Sequence, residues 1–298
     1  MSLARLPLIL IEPIVRQALL EDLGRAGDVT TDAIAPEGLT ITTAMAAREG
    51  GVVAGLDAAA LAFRLLDPRA VLTERRPDGA RVEAGETIAL VDGPARGVLS
   101  AERVALNFVT QLSGVASATA ALVAAVAGTR ARIVCTRKTT PLLRALEKYA
   151  VRAGGGVNHR FGLDDAALIK DNHVAIAGGV AEAIRRVRAQ VGHMVKIEVE
   201  VESLDQLEEA LGVGVDAVML DNMSLDSLRR AVAMIAGRAL AEASGRVTPE
   251  TAPAIAATGV DLISAGWLTH SAPILDVGLD HLGSARALRS VRAKRRSR

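Results

Sequence analysis

The chain has 298 residues, half of them hydrophobic, and a formal net charge of +1, enough to bury a large core as one big domain or two smaller ones. Aromatics are only 2% of it and Cys135 is its only cysteine, which argues against a base-stacking nucleic-acid surface and excludes an intrachain disulfide or a cysteine-based metal cluster. No apolar run reaches the length of a membrane span (the longest candidate, Val115–Ala127, carries Ser117 and Thr119) and no secretory signal pattern opens the chain, so a cytoplasmic protein with no membrane or nucleic-acid partner is expected.

In chain order, Leu6 to Asp22 has helical spacing and is followed by the turn-like G-D-V-T-T-D. From Thr40 to about Val98 short strands alternate with Gly-rich turns around one helix near Leu56–Leu66. Ser100 is placed to cap a long helix carrying Glu102, Arg103 and Asn107, with Gly114 bending or dividing it. Six apolar runs then recur, each followed by a helical segment: Ala131–Cys135, Ala166–Ile169, Met194–Val201, Ala217–Leu220, Ala239–Ala243 and Asp261–Ser264. Strands alternating with helices at this spacing imply a parallel sheet, and six such units a barrel or partial barrel.

Polar residues gather at one end of these runs. T-R-K-T follows the first, K-D-N-H the second, E-V-E-V-E ends the third, and L-D-N, E-A-S-G and S-A-G complete the set. All lie at strand C-termini, where parallel α/β folds place their chemistry. Between Arg130 and His173 nine Lys/Arg face four Asp/Glu, with two of the five histidines. Such a local excess in a nearly neutral chain suits a multiply anionic small molecule. Lysine is scarce, five residues against thirty arginines, and Lys138, Lys148 and Lys170 fall in this window. A lysine kept in an arginine-rich chain marks a place where a compact ammonium fits and a planar fork does not.

Thr140-Pro141 reads as the Ncap and first residue of a helix after Arg137 and Lys138. Gly154-Gly155-Gly156, just before Asn158-His159-Arg160, permits close backbone approach to an anion. Glu198 and Glu200 share one strand face, and with Asp221 they offer oxygen ligands to Mg²⁺ or to sugar hydroxyls; the same spacing fits a solvated strand end equally well. Ser244-Gly245 and Gly266 offer backbone N–H groups to a phosphate if helices start just after them. The segment Arg286–Arg298 carries seven Lys/Arg and no acid, and reads as a solvated terminus.

The runs T-R-K-T-T-P-x-L-R-x-L-E-K-Y-A-V, G-G-G-x-N-H-R-x-G-L and L-I-K-D-N-H closely resemble the quinolinate phosphoribosyltransferases. So do E-D-L-G-x-x-G-D-V-T-T-D, S-A-E-R-x-A-L-N-F, E-V-E-V, L-D-N and L-T-H-S. The resemblance implies an N-terminal α/β sandwich domain (1–112, completed by 275–298) and a partial, open parallel α/β barrel of the type II phosphoribosyltransferase kind (113–274). It implies transfer of phosphoribosyl from phosphoribosyl pyrophosphate to quinolinate with decarboxylation, Mg²⁺ as cofactor, and a homodimer with shared sites. Residues binding the quinolinate carboxylates and the phosphates match Arg103, Arg137, Lys138, His159, Arg160 and Lys170. Glu200 and Asp221 match those near ribose and metal, directly or through water, and Ser244, Gly245 and Gly266 match the 5′-phosphate cradle. Lys138, Lys170, Glu200 and Asp221 are the implied catalytic set, and Arg103 would reach into the neighbouring subunit.

The sequence departs from the family pattern at Cys135, Leu142, Arg246 and Trp267, without removing a matched charge. Two other readings compete. A molybdate-transport-associated paralogue shares the outline but lacks N-H-R and K-D-N-H in this form. A non-catalytic phosphate- or nucleic-acid-binding protein would have no use for the Glu200/Asp221 rim.

Overall fold

A computed structural model describes residues 3–282; the basic segment from Arg286 lies outside them. The chain divides into two compact units. One runs through Ser117 and takes in Ala145–Gly154 and the segment from Ala272, and the other comprises Ala118–Arg144 and Gly155–Ser271.

The first unit opens with α1 (Leu8–Leu23), whose Ile11, Val15 and Leu19, four residues apart, form its buried stripe. In α2 (Val29–Ile34), Asp28 accepts from the Thr30 and Thr31 amides and from the Ser100 hydroxyl, 2.9 Å away. These bonds stabilise the charged carboxylate and hold its pKa below the ordinary value. Next come β1 (Thr40–Ala47), β2 (Gly51–Val52), α3 (Leu56–Leu66), β3 (Val71–Glu74), β4 (Arg81–Val82) and β5 (Thr87–Pro94). An antiparallel sheet has the order β12-β1-β5-β3, with β12 (Val277–His281) joining from the far end of the chain.

α4 (Ala95–Ala125) begins five residues before Ser100, so Ser100 lies within the helix and its hydroxyl goes to Asp28 rather than to a cap. Gly114 does not divide α4, which runs through it unbroken. It is the point at which Pro273 and Ile274 cross the helix, with no room for a Cβ. At 31 residues α4 is long and apolar enough to cross a membrane by length and composition, which the shorter run seen in the sequence is not. More than half of its most apolar window is buried against protein. α5 (Arg144–Ala153) starts three residues after Pro141, not at it, and falls with the first unit. There the Tyr149 hydroxyl donates to Asp78 at 2.8 Å.

The second unit repeats strand and helix: β6 (Arg132–Val134), β7 (Ala167–Ile169), α6 (Asp171–Ala177), α7 (Val180–Gln190), β8 (Ile197–Val201), α8 (Leu204–Val213), β9 (Ala217–Asp221), α9 (Leu225–Ile235), β10 (Leu240–Ser244), α10 (Ala252–Ala256), β11 (Leu262–Ser264) and α11 (Trp267–His270). All six apolar runs are strands. Their sheet is wholly parallel, in the order β6-β11-β10-β9-β8-β7, and stays open because β6 and β7 are its edges.

Alternation along these strands divides the side chains. Ile133, Ile169, Val199, Val201, Val218, Leu220, Ala241, Ala243 and Ile263 enter one apolar core with the helices. Leu168, Glu198, Glu200, Met219, Asp221, Glu242, Ser244 and Ser264 hold the alternate positions. The polar set is therefore confined to the other face of the sheet.

A Cβ on Gly114 would stand 2.1 Å from the Pro273 carbonyl oxygen. Gly114→Ala is expected to lower stability by about 1–3 kcal/mol, the cost of overpacking. A urea midpoint equal to wild type would show that the crossing segment moves aside freely.

Candidate active site

At the C-terminal ends of the second unit's strands lies a cavity of about 680 Å³. It is lined by ten of the eleven residues named from the sequence: Arg137, Lys138, His159, Arg160, Lys170, Glu200, Asp221, Ser244, Gly245 and Gly266. Arg103 is not among them and is exposed on α4. Five Lys/Arg line the cavity, Arg246 being the fifth, against the two carboxylates Glu200 and Asp221. Not all of the basic window contributes. Lys148 is fully buried on α5, in the first unit, so scarcity of lysine marked two cavity positions and one packed one.

Local bonding fixes the loops. After β6 the Lys138 amide donates to Thr136 Oγ1, and the Lys138 carbonyl accepts from Thr269 Oγ1 at 2.8 Å, tying this loop to α11. Arg144 braces it further, donating to Thr139 Oγ1 and to the Phe161 carbonyl. The buried Cys135 thiol lies 3.4 Å from Asn158 Oδ1, so this departure from the family pattern packs behind the cavity. The Nε atoms of Arg137 and Arg160 are buried with no hydrogen-bond partner. Burial, and then the charge of Arg137, hold the Arg160 guanidinium below its usual pKa. An anion between the two guanidiniums would relieve this repulsion.

The acids take different roles by depth. Glu200 accepts from Lys170 Nζ at 2.8 Å; the lysine's ion-pair partner is this residue and not its neighbour Asp171. Asp221 accepts from the Asn222 side chain at 2.6 Å. Glu198, grouped in the sequence with Glu200 as a possible metal ligand, lies deeper, is buried and does not line the cavity. It bonds His159 Nε2 at 2.8 Å, while His159 Nδ1 accepts from the Arg160 amide. That pattern sets the tautomer: Nε2 carries the proton and donates to Glu198. Glu242, which sequence reasoning missed, stands 3.9 Å from the same nitrogen. The one signal for it was an acid two residues before Ser244 in an otherwise apolar strand. His159, Glu198 and Glu242 bring ligand atoms within 4.8 Å of one another, but hydrogen bonding and protonation already account for the grouping.

Beside Asn222, Gly245 has φ +110°, and a Cβ there would meet Asn222 Oδ1 at 2.2 Å, so only glycine fits. α11 starts directly after Gly266, as a phosphate cradle at that point requires. After Gly245 no helix starts until Ala252, so that half of the cradle is a loop.

Comparison with known proteins decides the family. The quinolinate phosphoribosyl transferase N-terminal domain model matches residues 28–113 and the C-terminal domain model residues 115–280. The chain belongs to the quinolinate phosphoribosyl transferase family. It is 49% identical to the nicotinate-nucleotide pyrophosphorylase [carboxylating] of Mycobacterium leprae over 89% of this chain and 95% of that one. It is 43% identical to the probable enzyme of that name from Bacillus subtilis, over 91% and 93%. Among solved structures, nicotinate-nucleotide pyrophosphorylase from Francisella tularensis superposes with a TM-score of 0.90 at 37% identity, covering 95% of this chain and 99% of that one. NadC from Streptococcus pyogenes gives 0.89 at 43% identity, covering 94% and 99%.

In this quinolinate phosphoribosyl transferase, burial and the charge of Glu198 push the Glu242 carboxyl up to about 8. Its proton is kept in the folded state at pH values where the unfolded chain has lost it. The group's contribution to stability is therefore fully present below the ordinary carboxyl range and is lost as pH rises towards 8. Glu242→Gln stays neutral throughout, so its melting temperature should fall less than wild type's between pH 6 and pH 9. Parallel curves would show that Glu242 titrates normally.

Proposed function

We propose that this protein transfers the phosphoribosyl group of phosphoribosyl pyrophosphate to the ring nitrogen of quinolinate. Carbon dioxide is lost, and nicotinate mononucleotide and pyrophosphate are formed for NAD biosynthesis in the cytoplasm. One observation carries the reading: a five-cation cavity with a carboxylate rim, in which the Nε atoms of both Arg137 and Arg160 are buried without a hydrogen-bond partner. Quinolinate brings two carboxylates and its co-substrate several phosphates, and only a site this cationic holds both. Relatives aligned over about nine-tenths of the chain and named nicotinate-nucleotide pyrophosphorylase [carboxylating] favour this reading over the molybdate-transport and non-catalytic ones.

In this reading Arg137, Lys138, His159, Arg160 and Lys170 bind the carboxylates and set the ring nitrogen against the ribose. Glu198 accepts the His159 Nε2 proton and so fixes the orientation of the ring. Ser244, Gly245 and Gly266 take the 5′-phosphate. Pyrophosphate leaves from an oxocarbenium-like transition state, so positioning and electrostatics supply the rate and no covalent nucleophile is needed. The ribosylated nitrogen is cationic and stabilises the electron pair left on the adjacent ring carbon when its carboxylate departs as carbon dioxide; that carbon then takes a proton.

Glu200 and Asp221 fit Mg²⁺. Each presents carboxylate oxygens to the cavity, only one oxygen of each is engaged by a neighbouring side chain, and two carboxylates plus substrate phosphate is a donor set this ion accepts. When bound, Mg²⁺ would neutralise charge on the departing pyrophosphate.

We further propose a homodimer in which Arg103 completes the neighbouring subunit's site. In support, Arg103 is exposed and absent from its own cavity lining, and Leu142, Leu163 and Ile176 of the second unit are large apolar side chains left 85%, 74% and 81% exposed.

Purified protein with quinolinate, phosphoribosyl pyrophosphate and Mg²⁺ should yield nicotinate mononucleotide by mass. Nicotinate, lacking the second carboxylate, should react poorly, and equal turnover with it would overturn the assignment. Lys170→Ala should lower turnover by at least about a hundredfold, the scale of one lost electrostatic stabiliser. Near-normal turnover would leave Lys170 a surface charge paired with Glu200. Mixing Arg103→Ala with Lys170→Ala should restore up to about a quarter of wild-type activity through hybrid dimers. No recovery despite subunit exchange would place Arg103 outside the neighbouring site.

A further inference from the structure

Arg246 is a cavity cation that none of the roles above uses. It lines the cavity with Ser244 and Gly245 and is exposed, and its side chain forms no ion pair or hydrogen bond among the described residues. Its backbone is in the left-handed region, φ +46°, directly after Gly245 at +110°. Side chains rarely adopt that conformation outside Asn, Asp and Gly, and where a bulky one does, the surrounding structure holds it there. The surroundings here are specific. The Trp267 indole N–H donates to the Val247 carbonyl at 2.8 Å, and Thr251 Oγ1 lies 3.5 Å from the Arg246 carbonyl. Trp267 follows Gly266, so its bond ties the Ser244–Val247 loop to the other half of the phosphate end.

We propose that Arg246 is a further phosphate-binding residue of this protein, its guanidinium taking the 5′-phosphate, and that Trp267 is the positioning residue that holds the Arg246 loop in its left-handed turn. A guanidinium fork matches phosphate oxygens two at a time. Arg246 directly follows Ser244 and Gly245, the proposed 5′-phosphate cradle, so the ribose-linked phosphate is the anion it would meet. The helix-free half of the cradle, after Gly245, thus has a full charge in place of a helix end. The assignment rests on the reaction proposed above.

The test titrates ribose 5-phosphate, and separately pyrophosphate, into wild type, Arg246→Gly, Arg246→Gln and Trp267→Phe, alongside steady-state kinetics. Loss of one charge-assisted contact should weaken ribose 5-phosphate binding on the order of tenfold to a hundredfold in both Arg246 variants. KM for phosphoribosyl pyrophosphate should rise by a similar factor, kcat should fall by less, and KM for quinolinate should stay unchanged. Arg246→Gly should melt at or above the wild-type temperature, because glycine adopts the left-handed turn without strain; a purely structural arginine would give the opposite sign. Trp267→Phe, which keeps a ring and loses the N–H, should show a smaller change in the same direction. Unchanged ribose 5-phosphate affinity in the Arg246 variants, or a loss confined to pyrophosphate, overturns the assignment. A wild-type protein that binds ribose 5-phosphate through Arg246 yet forms no mononucleotide overturns the reaction and leaves the phosphate site standing.

Discussion

Everything at the site depends on holding like charges together in one concavity. Burial and then the charge of Arg137 disfavour the charge on Arg160, and the Nε atoms of both arginines are buried and unpartnered. Such a pair costs stability in the free protein, and the remaining stability must come from elsewhere. The scaffold supplies it by separating functions across the sheet. Alternate residues of every strand build one apolar core with the helices, while the intervening positions are free to carry charge. Their loops are pinned by bonds that leave the charged groups alone, such as Thr269 to the Lys138 carbonyl and Arg144 to Thr139 and Phe161.

The acids balance this charge without cancelling it. Glu200 and Asp221, at the rim, are each engaged by one neighbour, Lys170 and Asn222, and stay available to ligands. Glu198, deeper, spends its charge on His159 and so fixes which ring nitrogen is a donor. Glu242, deepest of the set, is kept neutral by burial and by Glu198, which allows a second carboxyl beneath the cavity without lowering its positive potential. Residue type is the same in three of the four positions, and depth alone assigns the part each plays.

The part of the cavity around Gly245 follows a different logic, in which backbone conformation matters more than charge. Gly245 is required by both its φ and the Asn222 side chain against it, and Arg246 continues the same left-handed turn at a cost that glycine would not incur. Trp267 supplies the bond that holds that turn. The two residues that depart from the family pattern at this end are therefore coupled through one loop.

Much of this was legible in the order of residues. Strand–helix alternation, the placing of T-R-K-T, K-D-N-H and L-D-N at strand C-termini, and the pairing of Glu198 with Glu200 on one face all follow from periodicity, a local property of the backbone. Motif resemblance added the family. What the sequence could not decide was distance in the third dimension. Ser100 looked like a cap because its neighbours fit a helix start, yet its hydroxyl belongs to Asp28, 72 residues away. Gly114 looked like a break, and serves instead to let Pro273 cross. Glu198 and Glu200 look alike two residues apart, but one is sealed beneath His159 and the other opens on the cavity. Glu242 opens the E-A-S-G run and Arg246 follows it, yet nothing in that run marked what either does. Their roles come from burial and from what the fold sets opposite them, and burial is a property of the packed chain, set by segments far apart in sequence.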